Sequence, residues 1–191
     1  MKLFFFGGCF DPPHRGHIEM IKICYNNCDK FILMPTISSP LKKQLTVTNP
    51  AHIINMLQLI VKEIDKKIQI DKFDINQLGK SYTINTIRYL KDLYPDYSIS
   101  MILGEDQLMN FKNWEKYKEI KNLVHIIGFS RKQYKYIPEK NMNFTMIDDF
   151  IVNISSEQIR KDIVSGEFNS KYITDSVKQY IIKNQLYGYR K

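Results

Sequence analysis

Two hydrophobic periodicities alternate along the chain. Lys2-Leu3-Phe4-Phe5-Phe6 is a short apolar and aromatic run that reads as a buried strand, and Ile18 to Cys28 follows with the apolar spacing of a helix. Lys30 to Pro35 reads as a second strand, ended by its proline. A polar loop from Thr36 to Asn49, long enough to be mobile, then gives way to Asn49-Pro50. That pair supplies an N-cap and a first-turn proline for a helix marked by Ile53, Ile54, Leu57, Ile60, Val61 and Ile64. Residues 68–73 alternate as a strand; Ser81-Tyr82-Thr83 opens a helix on Ile84, Ile87, Leu90 and Leu93, stopped before Pro95. Strands are expected over Tyr97 to Leu103, Leu123 to Phe129 and Asn143 to Ile147, with helical signals from Trp114 to Ile120 between the first two. Ile154-Ser155-Ser156 supplies a serine cap opening a helix with Arg160 about one turn in, and Asp175 to Gln185 is a final amphipathic helix. Strand and helix alternating in this way predict an α/β fold. Its sheet should be parallel and doubly wound, with ligands at the carboxyl ends of the strands and a small helical portion over about 154–191. With no repeat and no linker rich in Pro, Gly or Ser, a single domain over 1–191 is expected.

Composition narrows the class. At 191 residues, 43% hydrophobic and 25% charged, the chain has the make-up of a globular protein with a sizeable core. It shows no apolar run of membrane-spanning length and no signal-peptide pattern, so a cytoplasmic protein is expected. Cys9, Cys24 and Cys28 form no CxxC pair, which suggests neither a disulfide framework nor zinc, and Cys24 and Cys28 read as neighbours on one helix. A net charge of +8 is compatible with nucleic acid, yet the basic residues form no stripe with interleaved aromatics, and a polyphosphate substrate explains a basic surface equally well.

The stretch with the most chemistry is Gly7-Gly8-Cys9-Phe10-Asp11-Pro12-Pro13-His14-Arg15-Gly16-His17, a strand-to-helix turn. Adjacent glycines permit a sharp turn and close approach to a ligand; the prolines stiffen the loop and delay the helix. His14 and His17, three apart, put both imidazoles on one side of the first helical turn, at the helix's positive end. An anion is the expected guest.

Strand, double glycine, Phe-Asp-Pro and His-x-Gly-His together resemble the signature of the nucleotidylyltransferase superfamily that carries the His-x-Gly-His motif. Further segments, in order along the chain, resemble its bacterial-type nicotinate mononucleotide adenylyltransferases. These are Gly79-Lys80-Ser81-Tyr82-Thr83 with Thr86 behind it, Ile102-Leu103-Gly104-Glu105-Asp106 followed by Trp114, Ile154-Ser155-Ser156 through Arg160, and the ending Tyr180-Ile181 to Leu186-Tyr187. The resemblance implies a Rossmann-like nucleotidylyltransferase fold and adenylyl transfer from ATP to nicotinate mononucleotide, releasing pyrophosphate, within NAD biosynthesis. It implies catalytic roles for His14, His17, Lys42 and Arg160. ATP would be held by Gly7, Gly8, Cys9, Phe10, His14, His17, Gly104, Asp106, Arg131, Ile154, Ser155, Ser156 and Arg160. Within that set Asp106 would meet the ribose, Arg131 the adenine, and Ser155, Ser156 and Arg160 the β- and γ-phosphates. The pyridine nucleotide would be received by Ser81, Tyr82, Thr83, Trp114 and Glu115, the Trp114 indole stacking on the ring. Mg²⁺ is expected to arrive with ATP, because no carboxylate cluster suggests an all-protein cage.

Several positions depart from the family's pattern. Ser39-Pro40-Leu41-Lys42 keeps the lysine of a lid loop that usually reads Pro-Pro-His-Lys; His52 and Gln77 stand where arginine is common; Lys80 replaces a proline, and Glu115 an aromatic residue. The acid at 115 leaves nicotinamide mononucleotide, or use of both acceptors, as the alternative within the same chemistry. From another class, the alternative is a basic nucleic-acid-binding module with a degenerate nucleotide site.

Overall fold

Side chains of a strand point alternately to opposite faces, so a continuous apolar run serves a sheet that is covered on both sides. In the computed structural model, which describes residues 1–37, 48–65, 67–77, 79–130, 136–148, 150, 152, 154–168 and 171–189, the central strands do this and the two edge strands do not. Strands β1 (Lys2–Gly8), β2 (Lys30–Pro35), β3 (Gln69–Ile70), β4 (Ser98–Gly104), β5 (His125–Phe129) and β6 (Phe144–Ile147) pair in parallel in the order β3-β2-β1-β4-β5-β6. Phe4, Phe6, Phe31 and Leu33 face helices α1 (Arg15–Tyr25) and α2 (Pro50–Ile64) through Ile21, Cys24, Ile53 and Leu57. Leu3, Phe5, Ile32 and Met34 face α3 (Thr83–Leu93) and α5 (Tyr117–Leu123) through Ile84, Ile87, Leu90 and Ile120. Helices α6 (Ser156–Ser165) and α7 (Asp175–Lys183) bury Ile159, Ile163, Val177 and Ile181 against Ile18 of α1 and Met56 and Ile60 of α2.

The expected caps form. Asn49 accepts from the Ala51 N–H at 2.9 Å ahead of Pro50, and Ser155 accepts from Gln158 N–H at 3.1 Å. Other expectations need correction. The alternating stretch 68–73 yields only Gln69–Ile70 as strand, because Asp71 N–H makes one more bond to Leu33 O (2.9 Å) and the chain then turns under Phe73 and Asp74. A short helix, α4 (Glu105–Met109), leaves β4 directly, and Trp114 follows a 3₁₀ turn (Phe111–Asn113) rather than opening a helix. The first helix begins and ends earlier than the apolar spacing suggests, so Cys28 lies beyond it; Cys24 is a core residue of α1 whose thiol burial pushes up to about 12.

Gly128 in β5 sits where a Cβ would come within 2.7 Å of both Leu108 Cδ1 and Phe144 Cζ, which pack in the same core layer. Gly128→Ala is therefore expected to lower unfolding stability by about 1–3 kcal/mol. Urea unfolding checks this, and an unchanged midpoint would contradict the packing. Connections on either side of β1 run in opposite directions, one through α1 to β2, the other to β4. That reversal opens a crevice at the carboxyl ends of β1 and β4.

Candidate active site

A cavity of about 680 Å³ fills that crevice. Its floor is the end of β1 and the turn that follows. Gly7 and Gly8 finish the strand, paired with Met34 and Pro35 and without positive φ; the left-handed residue is Phe10, at φ 47°. The turn is therefore made one step later than the glycines suggest. Gly8 instead leaves room for the Phe10 ring, which a Cβ would meet at 3.2 Å. That ring is buried, edge-on to Phe6 (5.3 Å) and to His17 (4.9 Å), so Phe10 supports the histidine from below. Cys9, half-buried, lines the cavity beside it.

His14 is the N-cap of α1 and His17 its third residue, and their rings stack at 3.7 Å with an interplanar angle of 22°. The His14 backbone N–H donates to His17 Nδ1 at 3.2 Å. With Nδ1 an acceptor, the proton of a neutral His17 sits on Nε2, which makes that nitrogen a donor. Gly16 explains the middle of the motif: a Cβ there would meet the His14 ring at 3.0 Å. Both histidines line the cavity at the positive end of a helix.

The C-terminal helices hold this turn from above. Arg160 Nη1 donates to Asp11 O at 2.5 Å, Ser156 Oγ to Pro12 O at 2.8 Å, and Tyr187 OH to the Asp11 carboxylate at 2.6 Å. Burial, and then the Asp11 charge, push the Tyr187 phenol far above its ordinary value, so it remains a donor at neutral pH. Asp11, 2% exposed, and Tyr187 belong to separate sequence motifs that this bond joins. Ile154 and Ser155 also line the cavity, Ser155 with its hydroxyl used in the helix cap.

Across the crevice, Gly104 ends β4 and Asp106 lies exposed in the first turn of α4. Glu105, buried between them, accepts from Ser130 Oγ at 3.2 Å. Trp114 stands half-buried with its ring edge-on to buried Phe111 (5.5 Å, 72°), and Glu115 beside it is exposed. Tyr82 and Thr83 line the same wall at the start of α3, where the N-cap, Tyr82, offers no side-chain acceptor to the first N–H groups of the helix. Ser81 is buried behind them. Asp74 lines this end of the cavity too and had no signal in the sequence, since an aspartate in a turn-rich stretch ordinarily belongs to the surface. It is 7% exposed and accepts from Thr86 Oγ1 at 2.7 and 2.9 Å; burial pushes its carboxyl up to about 6, with hydrogen bonds from Thr86 and Ser81 pulling the other way.

Lys42 and Arg131 lie outside the described residues. His52 does not reach the cavity: its Nδ1 is 2.9 Å from the Tyr180 hydroxyl on α7, which also accepts from Asn55. Among the described residues no group of three or more His, Cys, Asp or Glu could hold a metal ion, and no helix is long and apolar enough to cross a membrane.

Residues 5–162 match the model of the cytidylyltransferase-like family. A Leptospira interrogans protein named "Probable nicotinate-nucleotide adenylyltransferase" is 33% identical over 191 residues, covering 96% of this chain and 95% of its own. A Chlorobium phaeobacteroides protein of the same name is 33% identical over 197 residues, covering 98% and 99%. Among solved structures, "Plasmodium falciparum nicotinic acid mononucleotide adenylyltransferase complexed with NaAD" matches with a TM-score of 0.83 at 23% identity, over 99% of this chain and 98% of that one, a likeness of fold.

Proposed function

The chain belongs to the nicotinate-nucleotide adenylyltransferases, within the cytidylyltransferase-like family, and we propose that it transfers the adenylyl group of ATP to nicotinate mononucleotide, giving nicotinate adenine dinucleotide and pyrophosphate. The observation that carries this reading is one cavity with two kinds of end. A stacked histidine pair and Arg160 suit phosphates at one end; an uncapped helix start and a half-buried indole suit a carboxylated aromatic ring at the other. A volume of about 680 Å³ is of the size that holds such ligands.

The acceptor's 5′-phosphate is already ionised at neutral pH, so it attacks the α-phosphorus in line without a strong general base. Catalysis then rests on alignment and on neutralising charge at five-coordinate phosphorus. His17 Nε2–H donates to an α-phosphate oxygen, His14 lies beside it, and Arg160 steadies the departing pyrophosphate, with Ser155 and Ser156 at the start of α6. Asp106 takes the ribose of ATP. The donor set fits a cation carried in by the phosphates rather than one caged by protein. Mg²⁺ arriving with ATP would be held by its phosphates and would offset their charge. Both substrates are soluble nucleotides, and a cytoplasmic setting goes with them. The amide acceptor, nicotinamide mononucleotide, is the second reading, favoured by the acidic Glu115 next to Trp114.

Trp114 is the single tryptophan, so its fluorescence reports the acceptor end directly. Saturable quenching is expected on adding nicotinate mononucleotide and none on adding ATP with Mg²⁺ alone. Quenching by ATP and not by the mononucleotide would reverse the assignment of the two ends.

A further inference from the structure

The segment between β3 and α3 is strapped to one face of that helix. Asp71 Oδ1 accepts from Phe73 N–H at 2.8 Å and Asp71 Oδ2 from Tyr89 OH at 3.0 Å, the Phe73 ring stacks on Tyr89 at 4.0 Å and 4°, and Asp74 bonds Thr86. Thr86 and Tyr89 are one turn apart on the same face of α3. Of the three ties to the helix, the two to Tyr89 are ordinary loop anchors, half-buried at the edge of the sheet. The third is different: a carboxylate, 7% exposed, placed in the wall of the cavity, against a hydroxyl that is 1% exposed and in the first turn of the helix whose start is uncapped.

We propose that Asp74 is a positioning residue for the acceptor end of the cavity. Its carboxylate holds the Thr86 hydroxyl and lies beside that of Ser81, and so fixes Ser81-Tyr82-Thr83 in the geometry that receives the pyridine nucleotide. This rests on the assignment of that end to the acceptor.

The chemistry explains why an acid stands there. An ionised carboxylate accepts at both oxygens, whereas an amide accepts at one and turns an N–H₂ donor the other way, so the acid is better suited to donating hydroxyls on both of its sides. Burial opposes the charge: it is what pushes the Asp74 carboxyl up to about 6, and the Asp71 carboxylate from the same loop adds to the push. α3 presents Thr86 to it and the segment before α3 presents Ser81, and neither hydroxyl titrates between pH 5 and 8. For anchoring alone, a neutral side chain would serve with no charge to bury. A charge kept where burial disfavours it is accounted for by the placement of the segment it holds. As pH falls through about 6 the carboxyl gains a proton, its capacity to accept falls, and the hold on Ser81 and Thr86 weakens.

Pyrophosphate release by the wild type, Asp74→Asn and Thr86→Val from pH 5 to 8 tests this. The acceptor's own phosphate titrates near 6, so the informative quantity is the ratio of the variant's KM for nicotinate mononucleotide to the wild type's, in which that titration cancels. The ratio for Asp74→Asn is expected to be about tenfold at pH 8 and to shrink toward one at pH 5, with kcat and the KM for ATP little changed. Thr86→Val, which keeps the carboxylate and the core volume, is expected to raise the same KM severalfold. A ratio near one at pH 8, a raised ratio that stays constant with pH, or an unchanged KM in Thr86→Val would each overturn the proposal. Absence of acceptor-dependent release by the wild type would instead count against the function on which it rests.

Discussion

Replacing His17 with alanine should lower kcat by about 100- to 1000-fold while changing the KM for ATP by no more than about threefold. The ring is held on three sides, by the stacked His14 ring at 3.7 Å, by Phe10 edge-on at 4.9 Å and by the backbone N–H that bonds Nδ1. A donor fixed in this way costs no reorganisation when charge builds up on the transferring phosphoryl group. Its contribution therefore falls in the transition state more than in ground-state binding. Steady-state kinetics in both substrates separate the two. A KM raised in proportion to the loss of kcat/KM, with turnover unchanged, would mean that His17 only binds.

The second large effect is expected at Arg160, where alanine should reduce kcat about 100-fold and lysine should recover only part of the loss. On the proposed mechanism Arg160 has two tasks. Its guanidinium holds the Asp11 carbonyl at 2.5 Å, which keeps the turn before His14 in place, and its remaining N–H groups suit the leaving pyrophosphate. Lysine restores the charge but not the planar fork that can serve both at once. In the reverse direction, from dinucleotide and pyrophosphate, the KM for pyrophosphate should rise in the alanine variant while that for the dinucleotide changes less. Equal rises in both would indicate that the variant has disturbed the turn alone.

How far the sequence could be read depended on the range of the interactions involved. Alternation of strand and helix is a local signal, and the long apolar runs of β1, β4 and β5 announced a sheet covered on both faces, with the site at its carboxyl edge. His14 and His17 were legible for the same reason: their spacing on a first helical turn is set by the helix itself. The glycines misled in detail, because which residue takes a left-handed φ depends on what packs beneath it, and here Phe10 takes it while Gly8 makes room. Helix α4 was missed since its few residues carry no apolar period. Asp74 and the Tyr187–Asp11 bond were beyond reach. Each joins residues distant in sequence, and nothing local distinguishes a turn aspartate that is buried from one that is solvated.

Pyrophosphate release from ATP and Mg²⁺, followed in parallel with nicotinate mononucleotide and nicotinamide mononucleotide, bears most directly on the function. Release that requires the acceptor, with kcat/KM for the acid at least roughly tenfold above that for the amide, is expected if the start of α3 receives the carboxylate as proposed. No release with either acceptor, from protein whose fold is intact, would contradict it.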